Sequence, residues 1–268
     1  MCDDEVVQHA HDEARRFSRR TALAVTGGAA VAGAVFAGTS RAGAAPGLPR
    51  RVVDLTHTLT PDFPLWRGSA PVVAVPTSQI GPGDSGFATR WMSFSEHSGT
   101  HVDAPAHKIG SGITVDRIPP GDLVAPLAVI SIAGRARSPR DLLTERDIAA
   151  YEQRHGRIPQ RALVALHTGW QPRTGGVQAP AFAPSAVTML VAERGVVGIG
   201  TDTLSIDRYG DVGAHTAILG AGRYAVEALA NLAAVPAAGA TVMVGAPKFA
   251  GGTGGPARVL AVLVGGVF

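Results

Sequence analysis

The chain has 268 residues, 46% of them hydrophobic, and a formal net charge of +3, so it can fill a sizeable core and is not a disordered polymer. It carries no Lys/Arg cluster interleaved with aromatic residues, which argues against a nucleic-acid partner. Its single cysteine, Cys2, lies in a stretch expected to be removed, which excludes disulfides, a Cys-ligated zinc and a thiol nucleophile from the mature protein.

The N-terminal stretch differs in kind from the rest. Ser18-Arg19-Arg20-Thr21 precedes an Ala/Gly/Val run from Ala22 to Gly38, and Arg41-Ala42-Gly43-Ala44 follows it. A basic region, an apolar region and a small-x-small site make an export signal. Adjacent arginines before a glycine-diluted run resemble a twin-arginine signal, with cleavage expected after Ala44, although Ala22 and Leu23 depart from the usual pattern. Residues 1–44 are therefore expected to be a cleavable signal and 45–268 an exported, periplasmic or secreted domain. The competing reading is an uncleaved membrane anchor, but so many Ala and Gly residues would insert weakly, so no stable membrane insertion is expected after cleavage.

Along the mature chain, apolar and β-branched runs predict strands at 51–55, 72–75, 88–94, 127–132, 162–166, 196–199, 241–244 and 259–264. Helical patterns fall between them at 138–155, 185–194 and 223–232, the second opening on Pro184-Ser185 and closing at Gly195. This predicts one mixed α/β domain without internal repeats. Its 34 Gly and 19 Pro residues concentrate in the connections, and loops on a strand scaffold commonly carry the site.

The most informative stretch is HSGTHVDAPAH, from His97 to His107. From Trp91 to Asp103, Met92, Phe94, Thr100 and Val102 occupy one parity, and Ser93, Ser95, His97, His101 and Asp103 the other. That alternation predicts a strand with one core face and one wet face, from which His97, His101 and Asp103 all project. A straight strand would separate His97 and Asp103 by roughly 20 Å, too far for a shared metal. Gly99 permits a sharp bend, and Pro105 ends the ladder just beyond Asp103. Two imidazoles and one carboxylate curled around a small centre suit zinc, manganese or iron. His107, just past the proline, is placed as a general acid or base. The competing reading is a polar strand whose histidines merely form hydrogen bonds; a helical His-x-x-x-His site is excluded by Gly99 and Pro105.

The segment resembles the signature of the putative cyclase family, which includes bacterial kynurenine formamidases and isatin hydrolases, in every fixed position of His-x-Gly-Thr-His-x-Asp-Ala-Pro-x-His. Other stretches are similar to the family's elements in the same order: Phe63-Pro64-Leu65-Trp66-Arg67-Gly68, with Arg67 in place of a proline; Gly198 to Asp207; Pro247-Lys248-Phe249-Ala250-Gly251; and Gly255-Pro256-Ala257-Arg258. The resemblance implies the swivelling β/β/α fold and a centre of one or two divalent ions, most often Zn2+, with Mn2+ a further candidate. It further implies His215 and, twelve residues on, Glu227 as ligands beside His97, His101 and Asp103, with Asp103 and Glu227 able to bridge. Taken without the resemblance, His215 in a Gly-rich loop and Glu227 on a helix would be ordinary surface residues. Ala228 stands where the family has glycine.

The resemblance implies hydrolysis of an amide or formamide bond of an aryl substrate, with the metal as Lewis acid and His107 passing a proton to the leaving nitrogen or oxygen. Trp66 is expected either to stack on an aromatic substrate or to pack on a neighbouring subunit, because family members commonly form homodimers or larger homo-oligomers. Asp202 and Asp207 are expected to orient ligands or their loops, and His57 and His167 to be structural. Ring-opening of a lactam, imide or lactone is the second reaction, and a non-catalytic exported metal-binding protein the competing class. No Gly-x-Ser-x-Gly elbow occurs.

Overall fold

A computed structural model describes residues 51–82 and 86–263. The expected export signal, residues 1–44, lies outside the described residues. Among the described residues, no helix is long and apolar enough to cross a membrane.

A nine-stranded mixed sheet runs in the order β1 (Arg51–Asp54), β13 (Arg258–Leu263), β11 (Ala240–Gly245), β5 (Val124–Ser131), β7 (Leu163–His167), β9 (Gly198–Thr201), β10 (Tyr224–Glu227), β4 (His101–Asp103) and β12 (Gly254–Pro256). The four central strands β5, β7, β9 and β10 are parallel, and the flanking ones antiparallel. The parallel strands are joined through α1 (Glu145–His155), α2 (Pro184–Arg194) and α3 (Gly213–Gly220). Outside this sheet, β2 (Val73–Ser78) and β3 (Thr89–Ser93) form a hairpin, and β6 (Leu142–Leu143) pairs with β8 (Ala181–Phe182).

Strand alternation divides the core in two. On one face Leu127, Val129, Leu163, Ala165, Tyr224, Val226 and Val102 join a cluster with Val242 and Val259. On the other, Ala128, Ile130, Val164, Leu166 and Ala225 meet Ile148 and Tyr151 of α1, Val187 and Leu190 of α2, and Ile218 of α3. Both faces of the parallel strands are covered, which is why their sequences read as continuous apolar runs. Tyr224, 2% exposed, fits only because Gly198 beside it lacks a side chain: a Cβ there would lie 2.9 Å from the tyrosine ring.

Five expectations are corrected. The run from Trp91 to Asp103 is not one bent strand: β3 ends at Ser93, and β4 begins at His101 in a different sheet. Its polar face is not wet either, since His101 is 5% and Asp103 0% exposed. The helical pattern at 223–232 is the buried strand β10 followed by a turn, and His215 lies on α3 rather than in a loop. The pattern at 138–155 becomes helix only at Glu145, after the short β6.

Arg194, in the last turn of α2, is 7% exposed and meets Glu152 of α1 through two hydrogen bonds, Nε to Oε1 at 2.7 Å and Nη2 to Oε2 at 2.9 Å. Glu152→Gln would leave this buried guanidinium without its bidentate partner, and a loss of about 2–3 kcal/mol is expected in denaturant unfolding. A midpoint unchanged from the native protein would show that the pair contributes nothing.

Candidate metal centre

The site forms where β4 is inserted between β10 and β12. Val102 points into the core, so His101 and Asp103 point to the opposite face. In the antiparallel register Glu227 of β10 lies directly across from His101, on that same face. On the other side Gly254 of β12 lies across from Asp103, and its missing side chain leaves the space that the His97 ring fills: a Cβ there would sit 2.7 Å from His97 Cε1.

The loop before β4 delivers His97 through Gly99, whose φ of +64° favours glycine and whose Cβ would press on Leu59 at 2.9 Å. The Thr100 hydroxyl accepts a hydrogen bond from His57 N at 2.9 Å and donates one to Ala228 O at 2.5 Å, tying the start of β4 to the end of β10. After Asp103 the chain turns into a 3-10 turn at Pro105–His107, which folds His107 back until its ring centroid is 3.9 Å from that of His97 and 5.7 Å from that of His215.

His215 comes from α3, whose start is held by Asp207. The Asp207 carboxylate accepts from Ala214 N at 2.6 Å, from His215 N at 3.1 Å and from His215 Nδ1 at 2.7 Å. His215 Nε2 is thereby aimed inward, 3.3 Å from Glu227 Oε1 and 3.6 Å from Asp103 Oδ2. His101 is turned the same way: its Nδ1–H donates to Gly99 O at 2.9 Å, leaving Nε2 3.2 Å from Asp103 Oδ1 and 3.5 Å from Glu227 Oε2. A backbone carbonyl can only accept, so in the neutral imidazole the inward nitrogen of His101 is the one with the lone pair. Glu227 itself is oriented by Ile206 N, which donates to Oε1 at 2.8 Å.

Electrostatics follow from this crowding. Burial pushes the Asp103 carboxyl up, but His101, His215 and His97 outweigh it and hold it well below the ordinary carboxylate range. Burial also works against charge on His101, and Asp103 and Glu227 more than offset it, pushing the imidazole up to about 9. For His215 the same contest with Asp103, Asp207 and Glu227 ends at about 12. His107 differs: desolvation, only partly opposed by Asp103, lowers it below the usual histidine value. The centre is thus arranged to attract positive charge, and its rim carries one neutral imidazole.

The donor set fits a divalent metal. Asp103 Oδ2 is completely buried without a hydrogen-bond partner, the condition expected of a carboxylate oxygen that serves a cation. Two three-residue groups could each hold an ion, His97, Asp103 and His107 in one and His101, Asp103 and Glu227 in the other, and Asp103 belongs to both. His97, His101, Asp103, His215 and Glu227 are all brought together here. His107 adjoins them, with one ring nitrogen in ligand reach of the first group. Thr253, which contacts His97 from behind, and Glu96, which accepts from Thr253, escaped the sequence reading. Asp202 does not touch a donor: it accepts from Thr168 N, Thr168 Oγ1 and Gly169 N, fixing the turn that carries Trp170.

An apolar wall adjoins the centre. Ala228, the residue after Glu227, packs with Phe63 and Leu204, and Leu59, Leu65, Trp66, Trp170 and Val177 join that cluster. Trp66 is half-buried, its ring 5.7 Å from Tyr209. Of the remaining histidines, His167 Nδ1 lies 2.9 Å from Ser131 Oγ and His57 stacks near Phe63 at 5.5 Å, both outside the donor set.

Comparison with known proteins agrees with this geometry. Residues 53–208 match the family described as putative cyclase. The isatin hydrolase of Roseibium aggregatum is 32% identical over 245 residues, covering 79% of this chain and 91% of that protein. The kynurenine formamidase of Paracidovorax citrulli is 33% identical over 158 residues, covering 53% of this chain and 70% of that one. Among solved structures, isatin hydrolase A from Labrenzia aggregata bound to benzyl benzoate superposes with a TM-score of 0.75 at 35% identity, covering 80% of this chain and 94% of that one. A structure described as a potential metal-dependent hydrolase with cyclase activity gives 0.64 at 26% identity, covering 79% and 96%. With the signature stretch folded around a shared carboxylate and with these likenesses running through most of its length, the chain belongs to the putative cyclase family.

Proposed function

We propose that this protein is a metal-dependent hydrolase that opens a cyclic amide fused to an aromatic ring. The observation that carries this reading is a three-histidine, two-carboxylate donor set at the end of β10, where the next residue, Ala228, packs into an apolar cluster that includes Trp66 and Trp170. Such a cluster supplies apolar surface for an aryl ring next to the residues that would act on its carbonyl. Hydrolysis of an aryl formamide is the second reading, supported by the likeness to a kynurenine formamidase. The cyclic amide comes first because the isatin hydrolase likeness covers more of both chains.

His97, His101, Asp103, His215 and Glu227 would hold the ion or ions, of which Zn2+ suits the His/carboxylate set and Mn2+ is the alternative. A bound divalent ion supplies Lewis acidity at the carbonyl and makes water a better nucleophile near neutral pH. The chain's own part is orientation and proton movement. Asp207 and Gly99 fix two imidazoles in the tautomer that faces inward. His107, held neutral over the donors, takes a proton from the attacking water and delivers it to the departing nitrogen as the C–N bond breaks.

Metal binding is the first test. Titrating Zn2+ into metal-free protein at neutral pH should give stoichiometric uptake with proton release, because each imidazole must shed its proton to bind, and affinity should fall as pH is lowered. Isothermal titration in two buffers of different ionisation enthalpy reads the released protons; a heat independent of buffer counts against imidazole ligation. For the chemistry, His107→Ala should retain metal and lose about 100-fold or more in kcat on isatin. Full turnover with metal retained would remove His107 from the mechanism, and loss of metal would make it a ligand. Stoichiometric metal with no chelator-sensitive hydrolysis of isatin, N-formylkynurenine or any related amide or lactone would favour a non-catalytic metal-binding protein.

The enzyme is further proposed to act outside the cytoplasm, on the strength of Arg19-Arg20, the Ala/Gly-rich run and Ala42-x-Ala44. Replacing both arginines by lysine in the full chain should leave it uncleaved in the cytoplasmic fraction of a bacterial host. Unchanged fractionation would reject the twin-arginine route.

A further inference from the structure

Between two stretches that resemble family elements lies Gly251-Gly252-Thr253-Gly254-Gly255, a run with one side chain beyond a hydrogen atom. That side chain reaches the metal centre from behind. Thr253 Oγ1 lies 3.0 Å from His97 Nε2 and 2.6 Å from Glu96 Oε2, and Thr253 N donates to the same Glu96 oxygen at 3.0 Å. The flanking glycines are required by the fit. A Cβ on Gly252 would stand 2.7 Å from Glu96 Oε1, and one on Gly254 would stand 2.7 Å from His97 Cε1. The loop therefore wraps the Glu96 and His97 side chains at backbone contact and presents one hydroxyl between them.

A threonine hydroxyl has one hydrogen and two lone pairs. Its hydrogen goes to Glu96, because a carboxylate only accepts, and a lone pair is then what His97 Nε2 meets. His97 Nε2 must carry the hydrogen of that contact. Its Nδ1, 2.7 Å from Asp103 Oδ1, is then a lone pair set against a carboxylate oxygen, an approach that a cation held between the two would account for. His101 and His215 are fixed in the opposite sense, with Nδ1 donating outward and Nε2 inward. We infer that Glu96 and Thr253 are positioning residues that set the His97 tautomer and make Nδ1 its ligand atom, acting through a hydroxyl relay and not by touching metal or substrate. This rests on the metal reading above and adds to it a mixed Nδ1/Nε2 ligand set and two residues outside the signature. The energetic logic is that of an outer partner to a metal-bound imidazole, whose removal typically weakens metal binding about 10–100-fold.

The test uses the purified full-length chain stripped of metal, with Zn2+ alone as the probe. Thr253→Val keeps the shape and removes the hydroxyl, and should weaken Zn2+ binding about 10–100-fold. Thr253→Ser restores the hydroxyl and should bind within about threefold of native. Glu96→Ala leaves the Thr253 hydrogen free to point at His97 Nε2, and should weaken binding although Glu96 is no ligand. Two-bond 15N–1H spectra of the Zn2+-loaded native protein, assigned with His97→Gln, should show His97 protonated at Nε2 and bound through Nδ1. That pattern should blur or reverse in Thr253→Val and persist in Thr253→Ser. Native-like affinity and an unchanged tautomer in Thr253→Val would overturn the inference, as would ligation through Nε2 in the native protein. If Thr253→Val fails to fold, Glu96→Ala and the native spectrum decide it alone. Failure of the native chain to take up Zn2+ would overturn the metal reading itself, an outcome separate from tight native binding that ignores Thr253.

Discussion

The structure around the site depends on one buried carboxylate. Asp103 is 0% exposed, has an oxygen without a hydrogen-bond partner, and still stays on the acid side of its ordinary range because imidazoles converge on it. Burying a charge is tolerable only when it is paired and its remaining lone pairs are used. Each surrounding feature answers that need. His101 and His215 are turned inward by acceptors behind them, His97 is pressed against Oδ1, and Glu227 shares the same two imidazoles from the opposite strand. Two negative groups facing three imidazoles make a cavity that is stable only with protons or a metal in it.

The sheet makes this arrangement possible because β4 is short and bordered on both sides. Three residues suffice to place His101 and Asp103 on one face, and pairing with β10 brings Glu227 opposite without any loop having to position it. A catalytic constellation on paired strands is set by register, and register is set by the core: Val102 and Val226 face each other in the buried cluster, and a slip of one residue would turn both donors of β4 into the core. Only His97, His107 and His215 need help from loops or a helix, and each arrives with a device that holds it: Thr253, the Pro105 turn and Asp207.

This division explains what was legible in the sequence. The parity of His101, Val102 and Asp103 is a local property and is found as read, whereas Gly99 turns the chain in the loop ahead of β4 and not as a bend within a strand. The extension of that strand back to Trp91 failed because alternation persists in the loop while the chain leaves one sheet for another, and no local signal marks the departure. Tyr224-Ala225-Val226-Glu227-Ala228-Leu229 reads as helix because Ala, Glu and Leu favour it. The segment is buried on both faces, however, so the period of two vanishes and pairing with β4 and β9 decides. His215 was hidden because α3 has only eight residues and opens between glycine and alanine, and its tie to Asp207 exists only after folding. The positions of His215 and Glu227 came from the resemblance alone. Thr253 and Glu96 could have been suspected from a lone side chain in a glycine run, since such a run implies close backbone approach.

Ala228 shows how the site and the fold constrain each other. It holds a φ of +51°, in the region that favours glycine, and the surrounding structure leaves it no alternative. Its N donates to Thr203 O at 2.8 Å, its carbonyl accepts from Thr100 Oγ1 at 2.5 Å, and the next residue's N donates to Thr201 O at 2.9 Å. A non-glycine residue in that conformation costs roughly 1–2 kcal/mol. The buried methyl returns about 0.8 kcal/mol through contact with Phe63 and Leu204. The return offsets only part of that cost, and the small remainder leaves alanine tolerated where the family pattern has glycine. What the methyl does change is shape. It adds a buried contact with Phe63 and Leu204 one residue after Glu227, so at this position the chain trades a slightly strained backbone for a closer join between the apolar cluster and the strand that carries Glu227.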